Sequence, residues 1–425
     1  MLRFLRVQAF ALKATFDFKP HSNHQRENPV ANQTTAAADA VLLTSYGKLH
    51  EQLRHDVPLL RNIEKTADHL TKGNTEAEFA INTKRNRGMG ARNEMENLPT
   101  PGTQKYARAT LELKNYYAGI AVSGQTFEQA NTNATAFVDV VDREVSQAYK
   151  DTKIDINRMM YGDGSGTLAT ATTAATSATQ EFDSLHWLQE DDILDIVDAS
   201  ALPTVTYIAQ GVTVLSVDED TNEVEFSSSV TLAIGDFVVR AGNYGGKEIE
   251  GIDLLIGTQT LHGIDPTTAS VWKSYTKSSV GVLEQIDMIR AIQGASKNGG
   301  SPSRIFTDHE SFNAYWDLFS DQRRYTDDNK LKGGQNVEMV FKANGANDIP
   351  ITTDWDCPAG NMYFVDESEL VLNQTGDLRW MNRDGSMWSR IPGKDGYEAS
   401  LYYYGNLGTY RRNSHAKLSG ISPLA

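Results

Sequence analysis

Between Phe79 and Val122 the chain makes a long β excursion with no evident core of its own, and a long amphipathic helix pattern follows it directly. The excursion begins with Phe79 to Arg85, turns through a tip punctuated by Gly88, Gly90, Pro99, Pro101 and Gly102, and returns along Tyr106 to Val122. In the return, Ala107, Ala109, Leu111 and Leu113 alternate with Arg108, Thr110, Glu112 and Lys114, the period of two that marks a half-buried strand. About a dozen residues at about 3.3 Å each span about 40 Å. An isolated pair of strands is marginal in water, so the apolar face needs a second surface, from this chain or from another copy. The tip brings Arg85, Arg87 and Arg92 close to Glu94 and Glu96, offering both signs of charge to a neighbouring subunit. With Leu111 and Leu113 these are the candidate intersubunit residues. An ordinary solvated hairpin loop is the alternative, since exposed ion pairs contribute little.

Val138, Val141, Val145, Ala148, Thr152, Ile156 and Met159 recur at steps of three and four, which predicts a helix over 136–160 with one apolar face. It stops at Tyr161-Gly162, where Gly-Asp-Gly-Ser-Gly breaks it. At about 1.5 Å per residue the rod approaches 40 Å, long enough to act as a structural spine. The Thr/Ala/Ser-rich run from Thr167 to Thr179 reads as a surface loop. From Asp192 to about Gly251, β-rich runs at Val205 to Ile208, Val212 to Val217, Val224 to Phe226 and Phe237 to Arg240 predict a small all-β module, a barrel or a sandwich. Asp218, Asp220 and Asn222 have calcium-loop spacing, but Glu223 stands where glycine is needed and Ser229 where a bidentate Glu should sit, so a hairpin turn fits better. Further on, Val282, Leu283, Ile286 and Ile289 predict a helix ending near Gly294, and Arg304 to Phe306 a strand. Thr307 with Glu310 makes a capping box for a helix whose Phe312, Tyr315, Trp316 and Phe319 have the spacing of core residues. Strands at Ile349 to Thr353, Met362 to Val365 and Leu370 to Leu372 complete an α+β domain.

A formal net charge of -15 over 425 residues argues against tight nucleic-acid binding, which needs a basic surface, although an acidic protein can enclose nucleic acid without gripping it. Cys357 is the only cysteine, so an intrachain disulfide is excluded; with no CxxC partner it reads as a structural thiol. No apolar run approaches the roughly 20 residues that cross a bilayer. Met1 to Lys13 carries Arg3, Arg6 and Lys13 among apolar residues, but Arg6 and Gln8 interrupt the apolar segment too early for an export signal. Pro20 to Ala38 is polar and reads as an extended arm. The histidines lack metal-ligand spacing: His21 and His24 lie in the arm, and His186, His262, His309 and His415 are far apart. There is neither a GxSxG elbow nor a GxxxxGK[ST] loop, and Gly162-Asp-Gly-Ser-Gly166 follows a helix rather than a strand, the wrong context for a dinucleotide. The expectation is a protein that is not an enzyme, with no catalytic, cofactor-binding or metal residues.

The C-terminal quarter carries a resemblance. Asp384-Gly385-Ser386, Pro392-Gly393-Lys394-Asp395, Tyr397-Glu398-Ala399 and the run YGNLGTYRRN from Tyr404 to Asn413 resemble the closing segment of tailed-bacteriophage major capsid proteins of the HK97-like fold. The order of elements agrees across most of the chain. The resemblance implies an α+β architecture with an N-terminal arm over 1–74, an extended loop over 75–123, and a peripheral domain with its spine helix over 124–187 and 376–405. An inserted all-β domain would occupy 188–251 and an axial domain 252–375 and 406–425. The phrase Arg240-Ala241-Gly242-Asn243 followed by Lys247-Glu248 is similar to capsid sequences that carry such insertions.

As function, the resemblance implies a structural subunit that self-assembles as hexamers and pentamers into an icosahedral capsid around double-stranded DNA, with no sequence-specific binding. Its place would be the virion capsid, after assembly in the host cytoplasm. The implied partners are the chain itself, a portal protein, a separate scaffolding protein and a decoration protein, with no membrane and no cofactor. A separate scaffold is expected because members of the family that carry their own scaffold have a longer N-terminal extension than the arm read here. Each extended loop would lie over an adjacent subunit, and maturation by expansion would change the angle between that loop and the spine helix. Some members join a loop lysine to a neighbour's asparagine; here Lys84 and Lys105 with Asn373 and Asn382 do not make such a link the expectation. An encapsulin-like cellular shell shares the fold but holds protein cargo. Outside the fold, the β module and the tyrosines suggest a secreted glycan-binding protein.

Overall fold

The computed structural model describes residues 32–33, 57–67, 70–71, 75–126, 137–201, 205–297, 299–318, 340–341, 349–382 and 386–423. The export-signal reading, most of the N-terminal arm, Phe319, Asp384 and Gly385 lie outside them. Strands and helices are numbered along the chain.

The central sheet runs β1 (Asn32–Gln33), β6 (Lys114–Ser123), β20 (Gly396–Thr409), β18 (Leu370–Trp380), β2 (Glu64–Thr66), with β19 (Ser389–Arg390) also on β20. Its spine is the antiparallel β6–β20 ladder, in register from Lys114↔Gly405 to Ser123↔Gly396. Alternation puts Tyr116, Leu401 and Tyr403 inward, while Tyr117, Tyr402 and Tyr404 cluster on the outer face. The inner face meets α1 (Pro58–Asn62) and the long helix α2 (Phe137–Tyr161) in one apolar cluster that includes Leu59, Ile156, Met159, Met160, Leu372, Tyr403 and Leu407.

The second sheet is all antiparallel: β7 (Thr167–Thr170), β12 (Phe237–Arg240), β9 (Ile193–Val197), β10 (Tyr207–Asp218), β11 (Glu223–Leu232), β8 (Ala175–Glu181). An Ala171↔Phe182 bridge joins its two ends, so the sheet closes into a small barrel filled by Leu168, Leu194, Ile196, Val214, Val224, Phe226 and Val238. The Thr/Ala/Ser run is therefore not a loop: it supplies β7 and most of β8. Its small polar side chains suit outward strand positions while Leu168 and Ala171 turn inward. The module accordingly starts at Thr167 rather than near residue 188. The two expected strands within 205–217 are one strand, bulged at Gly211, whose φ of 67° and N–H bond to Asp195 Oδ1 (2.9 Å) hold the kink. Asp218 pairs with Glu223 across the turn, and Asp218 Oδ1 accepts Asp220 N–H at 3.0 Å, the hairpin arrangement. Because β7 and β12 are neighbours, the chain enters and leaves the barrel side by side. On its return, Gly251 lies against the end of α2, where a Cβ would fall on the carbonyl oxygens of Met159, Met160 and Gly162.

The third sheet, β13 (Tyr275–Lys277), β21 (Ala416–Ser419), β17 (Asn361–Val365), β14 (Arg304–Thr307), β16 (Ile349–Thr353), β15 (Val340–Phe341), follows the short helix α3 (Ile252–Leu255). It packs α4 (Gln285–Ser296) and α5 (His309–Asp317) through Met288, Ile292, Ala295, Tyr315, Ile305 and Phe364. Helix α4 starts after Val282, which is 80% exposed, and runs past Gly294, which abuts the Tyr275 ring too closely for a Cβ. The cap of α5 falls one residue later than expected: Asp308 Oδ2 accepts from the N–H groups of Glu310 and Ser311, both at 3.1 Å, while Thr307 Oγ1 donates to Asn361 O. Tyr315 is core, but Trp316 reaches the surface.

His415, after β20, is wholly buried. Its Nδ1 accepts the Asp366 N–H at 3.2 Å, which leaves Nε2 to carry the proton toward Thr409 Oγ1 at 3.0 Å. Burial above all, with Arg411, outweighs Asp366 and lowers its pKa from 6.5 to about 4. The unfolded chain takes up this proton below pH 6.5 and the folded chain does not until about 4, so stability is lost as pH falls through that window, by at most about 1.4 kcal/mol per pH unit. Urea unfolding at pH 7.5, 6 and 5 should show a shallower pH slope for His415→Asn than for the parent; equal slopes would discount this site.

Candidate functional site

The hairpin consists of β3 (Leu70–Thr71), β4 (Glu76–Lys84) and β5 (Lys105–Glu112), with β4 and β5 in register from Glu76↔Glu112 to Asn82↔Tyr106 and shifted by one residue before Lys84↔Lys105. The return is not one strand to Val122. It breaks at Leu113, whose N–H bonds Thr75 O at 3.0 Å, and β6 then enters the central sheet. The second surface that the apolar face requires comes from this same chain. Ala77, Ala109 and Leu111 are buried, and Phe79, Ile81 and Ala107 pack at the margin of the central cluster. Leu111, at 1% exposure and against Gly408, is thus a residue of its own subunit's core and is covered from any neighbour; Leu113 is half-buried beside Glu76, Glu112 and Tyr404.

Polar bonds fix the stem where apolar contact ends. The Thr110 N–H bonds His262 O at 3.1 Å, and Phe79 sets its ring edge-on to Tyr410 (5.3 Å between centroids) and His262 (6.1 Å). Asn406 is wholly buried, donates from Nδ2 to Glu112 O and accepts the Glu250 N–H at Oδ1, both at 2.8 Å. Nearby, the buried Arg412 guanidinium meets no carboxylate among the described residues. It donates to the carbonyls of Leu254 (3.2 Å), Leu255 (2.9 Å) and Gln259, capping the C-terminal end of α3, and burial lowers its pKa to about 10. Asn406 and Tyr410 belong to the run YGNLGTYRRN, so that run secures the stem, while its Arg412 secures α3.

Beyond Lys84 and Lys105 the tip stands in solvent. Arg85, Arg87, Arg92, Glu94 and Glu96 are all exposed. Two of them also shape the tip: Arg92 donates to Asn97 O and Ala91 O at 2.9 Å each, and Glu96 accepts the Asn93 N–H at 2.8 Å. Gly88 and Gly102 bring the two backbones too close for a Cβ at either position. Met89, Met95 and Leu98 are exposed as well, Met95 completely, which the charge-based reading missed although three large apolar residues in a Gly/Pro-rich loop were visible. Of the asparagines weighed as cross-link acceptors, Asn373 is buried in β18 and Asn382 is exposed.

A second group of residues sits where α2, the central sheet and the barrel meet. Asp155 on α2 accepts from Arg158 Nε (2.9 Å), Tyr116 OH (2.7 Å) and Arg240 at the end of β12 (2.7 Å). Arg158 also bonds Glu248 (2.7 Å), which accepts from Asn243 Nδ2 (3.0 Å). Burial alone would raise the Asp155 pKa, but Arg158 and then Arg240 hold it below the usual carboxylate range. From the same turn Asn157 Nδ2 donates to Asp354 and Asp356, and from the next Tyr161 OH donates to Asp354 at 2.9 Å. Cys357 is buried beside them, with its thiol pKa pushed up by burial. Among the described residues no group of three or more His, Cys, Asp or Glu is arranged to hold a metal ion.

Among solved structures, the chain is similar to the Cyanophage A-1(L) capsid asymmetric unit, with 14% identity, a TM-score of 0.55, and coverage of 88% of this chain and 95% of that one. It is also similar to the capsid of the native GTA particle computed with C5 symmetry, at 10% identity and TM-score 0.49 over 88% of this chain and 93% of that one. No protein-family model and no curated protein matches the chain. The first likeness establishes the fold.

Removing one partner of a buried ion network strands the others, so Arg158→Met should destabilise the chain by about 3–5 kcal/mol. Glu219→Gln, on an exposed barrel turn, should stay within about 0.5 kcal/mol. Urea unfolding followed by tryptophan fluorescence distinguishes the two; a small effect of Arg158→Met would remove the network from the account of stability.

Proposed function

From the fold it shares with phage capsid subunits, we propose that this chain is the major capsid protein of a tailed phage, a structural subunit that self-assembles as hexamers and pentamers into an icosahedral shell around double-stranded DNA. The fold is the observation that carries this reading; the hairpin supports it. A hairpin with its stem packed on its own subunit and its tip exposing Met89, Met95 and Leu98 among arginines and glutamates is suited to lie on an adjacent copy. We assign Arg85, Arg87, Arg92, Glu94 and Glu96 to that contact, as modest interactions that symmetry repeats around the shell. In this assignment α2 is the spine helix, the barrel the inserted domain and the third sheet the axial domain. The net charge of -15 suits a wall that contains a genome and lets it leave. Portal, scaffolding and decoration proteins are the further partners this role entails.

Negative-stain microscopy of the purified chain tests the reading: closed icosahedral particles are expected, and small monodisperse particles under every assembly condition would overturn it. Deleting Gly88 to Gly102 should leave folded subunits or capsomers yet block stable shells. Normal particles from that deletion would refute the role given to the tip while leaving the shell reading intact.

A further inference from the structure

We propose that His262 is an acid-sensitive latch on the hairpin stem: a proton taken up by its buried ring releases β4 and β5 from the body of the subunit. The residue holds the stem in two ways, with its carbonyl oxygen on the Thr110 N–H (3.1 Å) and its ring against Phe79 (6.1 Å). Its own geometry is unusual. Leu261 and Ile264 exchange backbone bonds at 3.2 and 2.9 Å around His262 and Gly263, whose φ values of 51° and 78° are both left-handed, the pattern of a type I′ turn. Glycine or asparagine would suit the first of these positions better than histidine.

The ring lies in a slot made for its neutral form. Its Nε2 is buried without a hydrogen-bond partner among the described residues, and Trp272 flanks it at 6.5 Å between centroids. Two charged groups face it from the elements packed around it. Glu250, on the segment leaving the barrel, places Oε2 3.7 Å from Nδ1, beyond hydrogen-bond length. Burial raises the Glu250 pKa, as Glu112 does, against the opposing pull of Lys114 and Asn406, so its carboxylate is a weakened counter-charge. Arg412, from the C-terminal segment, repels a second cation. Burial and then Arg412 together lower the imidazole pKa from 6.5 to about 3. With the stem lifted the ring would meet water and titrate near its ordinary value, so acid favours the lifted state.

Lifting the stem is mechanically accessible. A cleft of about 390 Å³ already lies between Ala80, Ile81 and Asn82 of the stem and Val271, Trp272 and Tyr410 of the body. The break at Leu113 gives the stem a place to pivot without disturbing the β6–β20 ladder. The latch belongs to the fold of the single subunit and does not depend on whether the chain builds shells.

Hydrogen exchange of the full chain, read by mass spectrometry and corrected for intrinsic rates, tests this at pH 7.5 and 5. Residues 105–112 should open roughly thirtyfold more at pH 5, and by an opening smaller than global unfolding, so that they exchange faster than the barrel strand Ile193–Val197 at both pH values. His262→Asn keeps the left-handed turn without a titrating ring and should abolish the response. His415→Asn, which removes the other histidine buried among the described residues, should leave it in place and serves if the first variant does not fold. Stem opening that ignores pH in the parent, that never exceeds the opening of the barrel, or a pH response that persists in His262→Asn overturns the proposal.

Discussion

The last turns of α2 are buried on every side, and the polar residues there decide how the rest of the subunit is arranged. Asp155, Asn157, Arg158 and Tyr161 each lack water, so each must find a partner on another element. Asp155 and Arg158 find theirs on the central sheet and the barrel, Asn157 and Tyr161 on the loop between β16 and β17. Apolar packing would tolerate small rotations of these units about the helix; charges in a low-dielectric junction do not, because a misplaced partner leaves an ion unpaired. The balance is even, with two arginines against two carboxylates. Such a network adds little net stability over an apolar replacement, and its value here is in specifying one arrangement.

Apart from β20, the long strand of the central sheet that was met only as part of a resemblance, the helix, the hairpin, β10 to β12 of the barrel and β14, β16 and β17 of the third sheet were legible in the sequence because their apolar residues repeat at the period their geometry demands. Leu113 was not. It continues the Ala107–Ala109–Leu111 alternation across a point where the chain changes sheets, and a period of two carries no mark of such a change. The threonine-rich run failed for the opposite reason: small polar residues read as loop, and only closure of the barrel makes them strands. The network on α2 escaped because Asp155 and Arg158 are spaced as an ordinary exposed pair would be, and burial on all sides depends on residues far away in sequence. The run YGNLGTYRRN was singled out for resemblance, whereas its physical content, Asn406 and Tyr410 securing the hairpin stem and Arg412 capping α3, came only from the structure.

The hairpin divides into a half governed by the subunit and a half left to its surroundings. Phe79, Ala109 and Leu111 answer to one core, so their tolerance to change is that of any interior residue. Among the described residues the tip answers only to contacts within itself that keep its shape, those of Arg92, Glu96 and Asn86 and the close approach of Gly88 to Gly102. An extended element with a committed root and an uncommitted end can be held in place before its partner arrives, which lowers the ordering cost of the contact it makes.

The side-by-side entry and exit of the barrel has a consequence for how such chains diversify. Because β7 and β12 are neighbours and Gly251 returns to the very end of α2, the intervening residues form a cassette that begins and finishes at one point of the frame. A longer, shorter or differently folded cassette would leave the helix, the central sheet and the third sheet untouched, provided that its exit still supplied the charges that Arg240 and Glu248 present and a residue without a side chain at position 251. The outer character of the subunit could then vary widely while its frame stayed constant.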